Sequence, residues 1–117
     1  MQHETINYLE YPAKDIEKTK QFFAVVFNWH FTDYGPEYTA FAKADVGIDG
    51  GFYLSDKTSN TEKGSCLTVF YSADLTSTEA KIVEHGGKVI VPTFEFPGGK
   101  RFHFTDPNGN EFAVWSE

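Results

Sequence analysis

Hydrophobic positions in this chain follow a strand period, then a helix period, then a strand period again, and the whole alternation occurs twice. Thr5 to Tyr11 is rich in aromatic and β-branched residues and reads as a strand, after which Pro12, Ala13 and Lys14 carry the chain outward. Asp15 is placed as a helix N-cap. Behind it Ile16, Thr19, Phe22, Phe23, Val26 and Phe27 fall on one helical face, with Glu17, Lys18 and Lys20 off it, and Asn28 is suited to a left-handed helix end. Three short strands are predicted next: Trp29 to Thr32, Tyr38 to Lys43, and Phe52 to Ser55. They are divided by Gly35-Pro36 and by Gly47-Ile48-Asp49-Gly50-Gly51. Asp56 to Gly64 is polar throughout and reads as a linker.

The pattern then restarts. Ser65 to Tyr71 is a predicted strand, Asp74 an N-cap, Leu75 to His85 a helix that Gly86-Gly87 ends, and Lys88 to Val91 a strand. Asp106-Pro107-Asn108-Gly109 is turn chemistry between two alternating runs, so the last two strands form an antiparallel hairpin. Asp15 and Asp74 lie 59 positions apart (74 − 15), and at that offset Ile16 meets Leu75 and Phe23 meets Ile82. Both halves read β-α-β-β-β. The expected fold class is therefore α+β: two paired modules, about residues 1–56 and 65–117 of a single domain. They would form a curved eight-stranded sheet with both helices outside and a concave cup inside, where pockets form.

Composition narrows the partners. With 17 acidic against 10 basic residues the formal charge is −7, which disfavours nucleic acid. No apolar run approaches the ~20 residues of a membrane span, and the lone Cys66 has no internal disulfide partner, so a cytoplasmic protein that binds no membrane is expected. Helix-side parity predicts a buried, inert Cys66 thiol.

Strand parity selects the side chains that look into the cup: Tyr8 and Glu10 in the first strand; Leu67, Val69 and Tyr71 in the fifth; Glu111, Ala113 and Trp115 in the last. In the seventh, Arg101 and His103 alternate with Phe102 and Phe104, so if the two Phe pack under a helix, the basic pair faces the acids. A cation beside Glu10 or Glu111 would hold that carboxylate ionised. Glu10, His103 and Glu111 are the candidate acid–base residues, and Tyr8, Leu67, Arg101, Ala113 and Trp115 the candidate ligand-binding ones. Trp115 could stack a planar compound.

The run Ile6 to Phe23 (INYLEYPAKDIEKTKQFF), then Val26-Phe27-Asn28-Trp29, Gly86-Gly87-Lys88-Val89 and Thr105-Asp106-Pro107-Asn108-Gly109-Asn110, resemble the vicinal oxygen chelate superfamily of glyoxalases, bleomycin-resistance proteins and extradiol dioxygenases. The resemblance implies a homodimer and a cup that takes a small molecule, often with a divalent metal held by His or Glu. Carried over, the ligand positions fall on Tyr8, Leu67, Ala113, and Phe52 or Tyr53, none of them His or Glu. The expectation is no metal ligand and no cofactor, because such a metal needs about three anionic or imidazole donors. The chemistry of true glyoxalases on glutathione thioesters would draw on that metal. Three readings stay open: a metal-independent binder or enzyme of unknown reaction; a metal-dependent lyase or dioxygenase with shifted ligands, such as His103 with Glu10 or Glu111; and a non-catalytic protein that sequesters a planar compound.

Overall fold

The computed structural model describes residues 1–117 as two compact units, Met1–Lys57 and Thr58–Glu117. Each carries one β-α-β-β-β module with its own four-stranded sheet, so the expected α+β class and the count of eight strands are both met.

In the first unit β1 (Tyr8–Ala13) leads to α1 (Ile16–Phe27), then β2 (Phe31–Asp33), β3 (Tyr38–Phe41), a four-residue helix α2 (Lys43–Val46) and β4 (Asp49–Leu54). The sheet order is β1-β4-β3-β2, with β1 parallel to β4 and the other pairs antiparallel. Asp15 caps α1 by accepting from the Lys18 N–H at 3.0 Å, and Asn28 ends it at φ 60°. Ile16, Thr19, Phe22, Phe23 and Val26 are buried on its inner face. Phe23 packs on Phe52 at 5.3 Å and stacks on Trp29 at 4.7 Å between ring centroids, and Tyr11 and Phe41 close around those two rings. Each such ring contributes about 1.5–3 kcal/mol by leaving water.

Three boundaries differ from the sequence reading. β1 begins and ends later than expected and contains Pro12, which it can because it is an edge strand of its sheet, where a missing N–H need cost no ladder bond. β4 begins at Asp49, so Gly50 and Gly51 are strand residues rather than loop. A Cβ at Gly50 would meet Leu9 O and the Phe41 ring, and one at Gly51 would meet the Tyr38 hydroxyl and, at 2.8 Å, Thr39 O. Helix α2 has no signal in its own four residues. Asp49 Oδ1 accepts from its first N–H at 2.6 Å, and Gly47 closes it at φ 97°.

The second unit has a 3-10 turn (Thr61–Lys63), β5 (Thr68–Tyr71), α3 (Leu75–Glu84), β6 (Lys88–Phe96), β7 (Gly99–Thr105) and β8 (Glu111–Ser116), in sheet order β5-β8-β7-β6. Asp74 caps α3 through the Ser77 N–H at 3.1 Å. Ile82 is the buried residue of that helix, and Phe102, Phe104, Phe112 and Val114 are fully or almost fully buried. β6 runs through Pro92 to Phe96, longer than expected, and tolerates the proline as an edge strand whose pairing slips between Val91 and Phe94. Cys66 is exposed, against the expectation of burial: it precedes β5, so strand parity does not govern it.

The polar stretch read as a linker is tied into the second unit from Ser59 onward. Ser59 O accepts from the Glu111 N–H at 2.7 Å, and the Ser59 N–H donates to Asn110 Oδ1 at 2.9 Å. The turn it meets is organised by a buried carboxylate. Asp106 Oδ1 accepts the N–H groups of Asn108 and Asn110, both at 2.9 Å, and Oδ2 accepts their side-chain amides at 3.1 and 3.3 Å. Of the turn residues only Gly109 has a positive φ, 89°. Asn108 serves through its amide rather than through a left-handed backbone.

Candidate functional site

Register in the second sheet places Arg101 opposite Trp115, His103 opposite Ala113, and Thr105 opposite Glu111, while β5 sets Val69 beside Ala113 and Tyr71 beside Trp115. These residues share one face. Phe102, Phe104, Phe112 and Val114 fill the other face, which is core, so the two Phe do force Arg101 and His103 onto the side of Glu111.

His103 and Glu111 form a buried pair. Nδ1 of His103 lies 2.7 Å from Glu111 Oε2, and Glu111 Oε1 accepts both the N–H and the hydroxyl of Thr61 at 2.8 Å. Burial pushes the Glu111 carboxyl up, but the bonds from His103 and Thr61 together outweigh it and hold the group below its ordinary value. An ionised Glu111 is acceptor only, so Nδ1 is the donor and Nε2 is left to give or take a proton. Nε2 is buried and has no hydrogen-bond partner. Thr61 escaped the sequence reading. Its one signal is Asn60, whose side chain caps the 3-10 turn through the Lys63 N–H at 2.9 Å.

Beside this pair lies an open slot of about 340 Å³ lined by Val69, Phe96, Pro97, Gly98, Arg101 and Trp115. Phe94 bridges the two features, with its ring 6.0 Å from that of His103 and 5.3 Å below the Arg101 guanidinium carbon. Phe94 and Phe96 were missed because β6 was expected to stop at Val91.

In the first unit the outward face carries a different cluster. Tyr38 donates to Glu10 Oε2 at 2.8 Å, and its oxygen lies 2.6 Å from that of Tyr8. Burial first, then Tyr8 and Glu10, raise the Tyr38 phenol above its ordinary value, so it stays protonated and donates. Glu10 and Tyr8 are exposed and border solvent. A larger hollow of about 600 Å³ next to them is lined by residues that include Tyr8, His30, Tyr34, Tyr38 and Asp49.

Of the positions where the resemblance would put metal ligands, Ala113 is fully buried, Leu67 lies half-buried just before β5, and Phe52 is core. No three His, Cys, Asp or Glu side chains converge in either unit. The donor sets of the separate units therefore do not fit a divalent metal.

The family model for the glyoxalase/bleomycin resistance protein/dioxygenase superfamily matches residues 5–114. The chain belongs to that superfamily. Solved structures share the fold at low identity. A glyoxalase-related enzyme from Fulvimarina pelagi is 18% identical, with a TM-score of 0.78 over 97% of this chain and 88% of its own. The fosfomycin resistance protein FosX of Listeria monocytogenes is 16% identical at a TM-score of 0.76, covering 99% and 95%. Lactoylglutathione lyase from Agrobacterium tumefaciens is 16% identical at 0.71, covering 97% and 93%. No curated protein is significantly similar in sequence. No helix of this superfamily member is long and apolar enough to cross a membrane.

Proposed function

We propose that this chain is a small-molecule-binding member of the glyoxalase and bleomycin-resistance superfamily that works without the usual divalent metal, as a homodimer, taking its ligand in the slot beside Trp115. The observation that carries this reading is the juxtaposition of that aromatic-walled slot with the His103–Glu111 pair on one sheet face. Slots of a few hundred Å³ walled by rings and offering few polar groups suit small organic ligands. Tyr8, Leu67 and Ala113 support the metal-free part, since two of the three have no donor atom.

His103 gives the site its acid–base group. The Glu111 carboxylate holds the imidazole in one tautomer, and a substrate atom reaching Nε2 would exchange a proton there. The shielding of Nε2 also favours a second reading, in which the protein sequesters a planar compound without turning it over.

Elemental analysis of the purified, dialysed chain tests the metal-free reading, with no zinc, nickel, manganese or iron expected near one per chain. Metal that survives dialysis and is removed by His103→Ala would overturn it.

A further inference from the structure

Arg101 is the one arginine in the chain; the other nine basic residues counted with it are lysines. Its surroundings are unusual for a cation in a protein of net charge −7. It is half-buried, and no acidic side chain forms an ion pair with it. The acids on or near its face are already engaged: Glu111 with Thr61 and His103, and Glu117 with the Tyr71 hydroxyl at 2.9 Å. Its Nε is buried without a hydrogen-bond partner. What holds the guanidinium is aromatic, the rings of Phe94 and Phe96 at 5.3 and 5.9 Å from its central carbon. Cation–π contact fixes its position but satisfies none of its N–H donors.

We infer that Arg101 is the anion-binding residue of the slot, and that the ligand is a planar apolar molecule bearing a carboxylate. The inference rests on the proposed reading of the slot as the binding site. A planar guanidinium matches a carboxylate with two parallel N–H···O bonds, which the ammonium of a lysine cannot reproduce. A single fixed positive charge balances a single negative one, which favours a monoanion over a phosphate dianion. Val69, Phe96 and Pro97 are apolar and Trp115 adds only its indole N–H, so Arg101 is the one charged side chain in the slot, and the rest of the ligand is largely apolar and flat enough to lie against the Trp115 ring.

The test uses 2-naphthoate and its uncharged isostere 2-naphthamide, titrated into the full chain by calorimetry. In parallel the ¹⁵N resonance of the arginine Nε, which needs no assignment, is followed in the wild-type protein. Naphthoate is expected to bind at least tenfold more tightly than naphthamide and to shift the Nε signal. Arg101→Gln should bring naphthoate down to the affinity of naphthamide, and Trp115→Ala should weaken both. If both probes bind equally, or naphthoate leaves the Nε signal unmoved, the carboxylate inference falls while the slot stands. If neither probe binds, the slot reading falls and takes the inference with it. The Nε signal decides the matter even if Arg101→Gln does not fold.

Discussion

Replacing Glu111 by alanine should destabilise the protein by about 3 kcal/mol. The carboxylate serves three donors: the Thr61 N–H, the Thr61 hydroxyl and His103 Nδ1. Taking away a buried carboxylate strands the donors it accepted from, at a cost of ~1–3 kcal/mol for a donor that stays buried. The upper end applies here: Thr61 sits on an exposed segment and its donors can turn to water, but the buried His103 cannot. At roughly 4 °C per kcal/mol for a chain of this length, the melting temperature should fall by about 12 °C. Glu111→Gln keeps the shape and an acceptor for Thr61 but gives up the charge assistance, so about half that loss is expected. The two variants also differ in pH dependence. The folded-state value of Glu111 is depressed below its ordinary 4.5. Its contribution is therefore complete above that value and is lost as pH falls through the folded one. Urea denaturation of wild type and Glu111→Gln between pH 3 and pH 7 should show the gap closing on the acid side. A loss under about 1 kcal/mol for Glu111→Ala, or a gap that does not change with pH, would refute the account.

Other consequences can be checked separately. Asp106→Ala strands four N–H donors in the closing turn and should cost about 2–3 kcal/mol. Burial, against those four bonds, pushes the Asp106 carboxyl from 3.8 up to about 6, so its contribution is greatest below 3.8 and shrinks as pH rises toward 6, opposite in sign to Glu111; a difference profile against Asp106→Asn that runs the other way would contradict this. Gly51→Ala places a methyl group against the Tyr38 hydroxyl and ring and against Thr39 O, and should destabilise by about 1–3 kcal/mol while breaking the Tyr8–Tyr38–Glu10 cluster; Tyr38→Phe, which removes the hydroxyl but leaves the ring and Thr39 O in place, should relieve the clash only in part. Sedimentation is expected to give twice the chain mass of 13.2 kDa, and a monomer at high concentration would end the homodimer proposal.

Local chemistry along the chain is enough for the elements and their facing. Asp15 and Asp74 announce helix starts because a short carboxylate can accept the free N–H groups of a first turn. Asn28 announces a stop, and strict alternation in β7 and β8 divides the phenylalanine face from the opposite one, since a strand has no other way to distribute its side chains. That is why alternation alone gathers Arg101, His103, Glu111, Ala113 and Trp115 on one face. Tertiary structure decided what depends on neighbours distant along the chain. Gly50 and Gly51 look like a loop until Phe41 and Tyr38 are seen lying across them. Thr61 gains its place only when its segment folds onto β8, fifty residues later. Phe96 reaches the slot, and Phe94 the Arg101 guanidinium, because an edge strand can absorb Pro92 by slipping register, and no periodicity in the sequence records a slip. Turn residues and alternation act within a few bonds and so can be read in order; a hydrogen bond across fifty residues is set by the path of the whole chain.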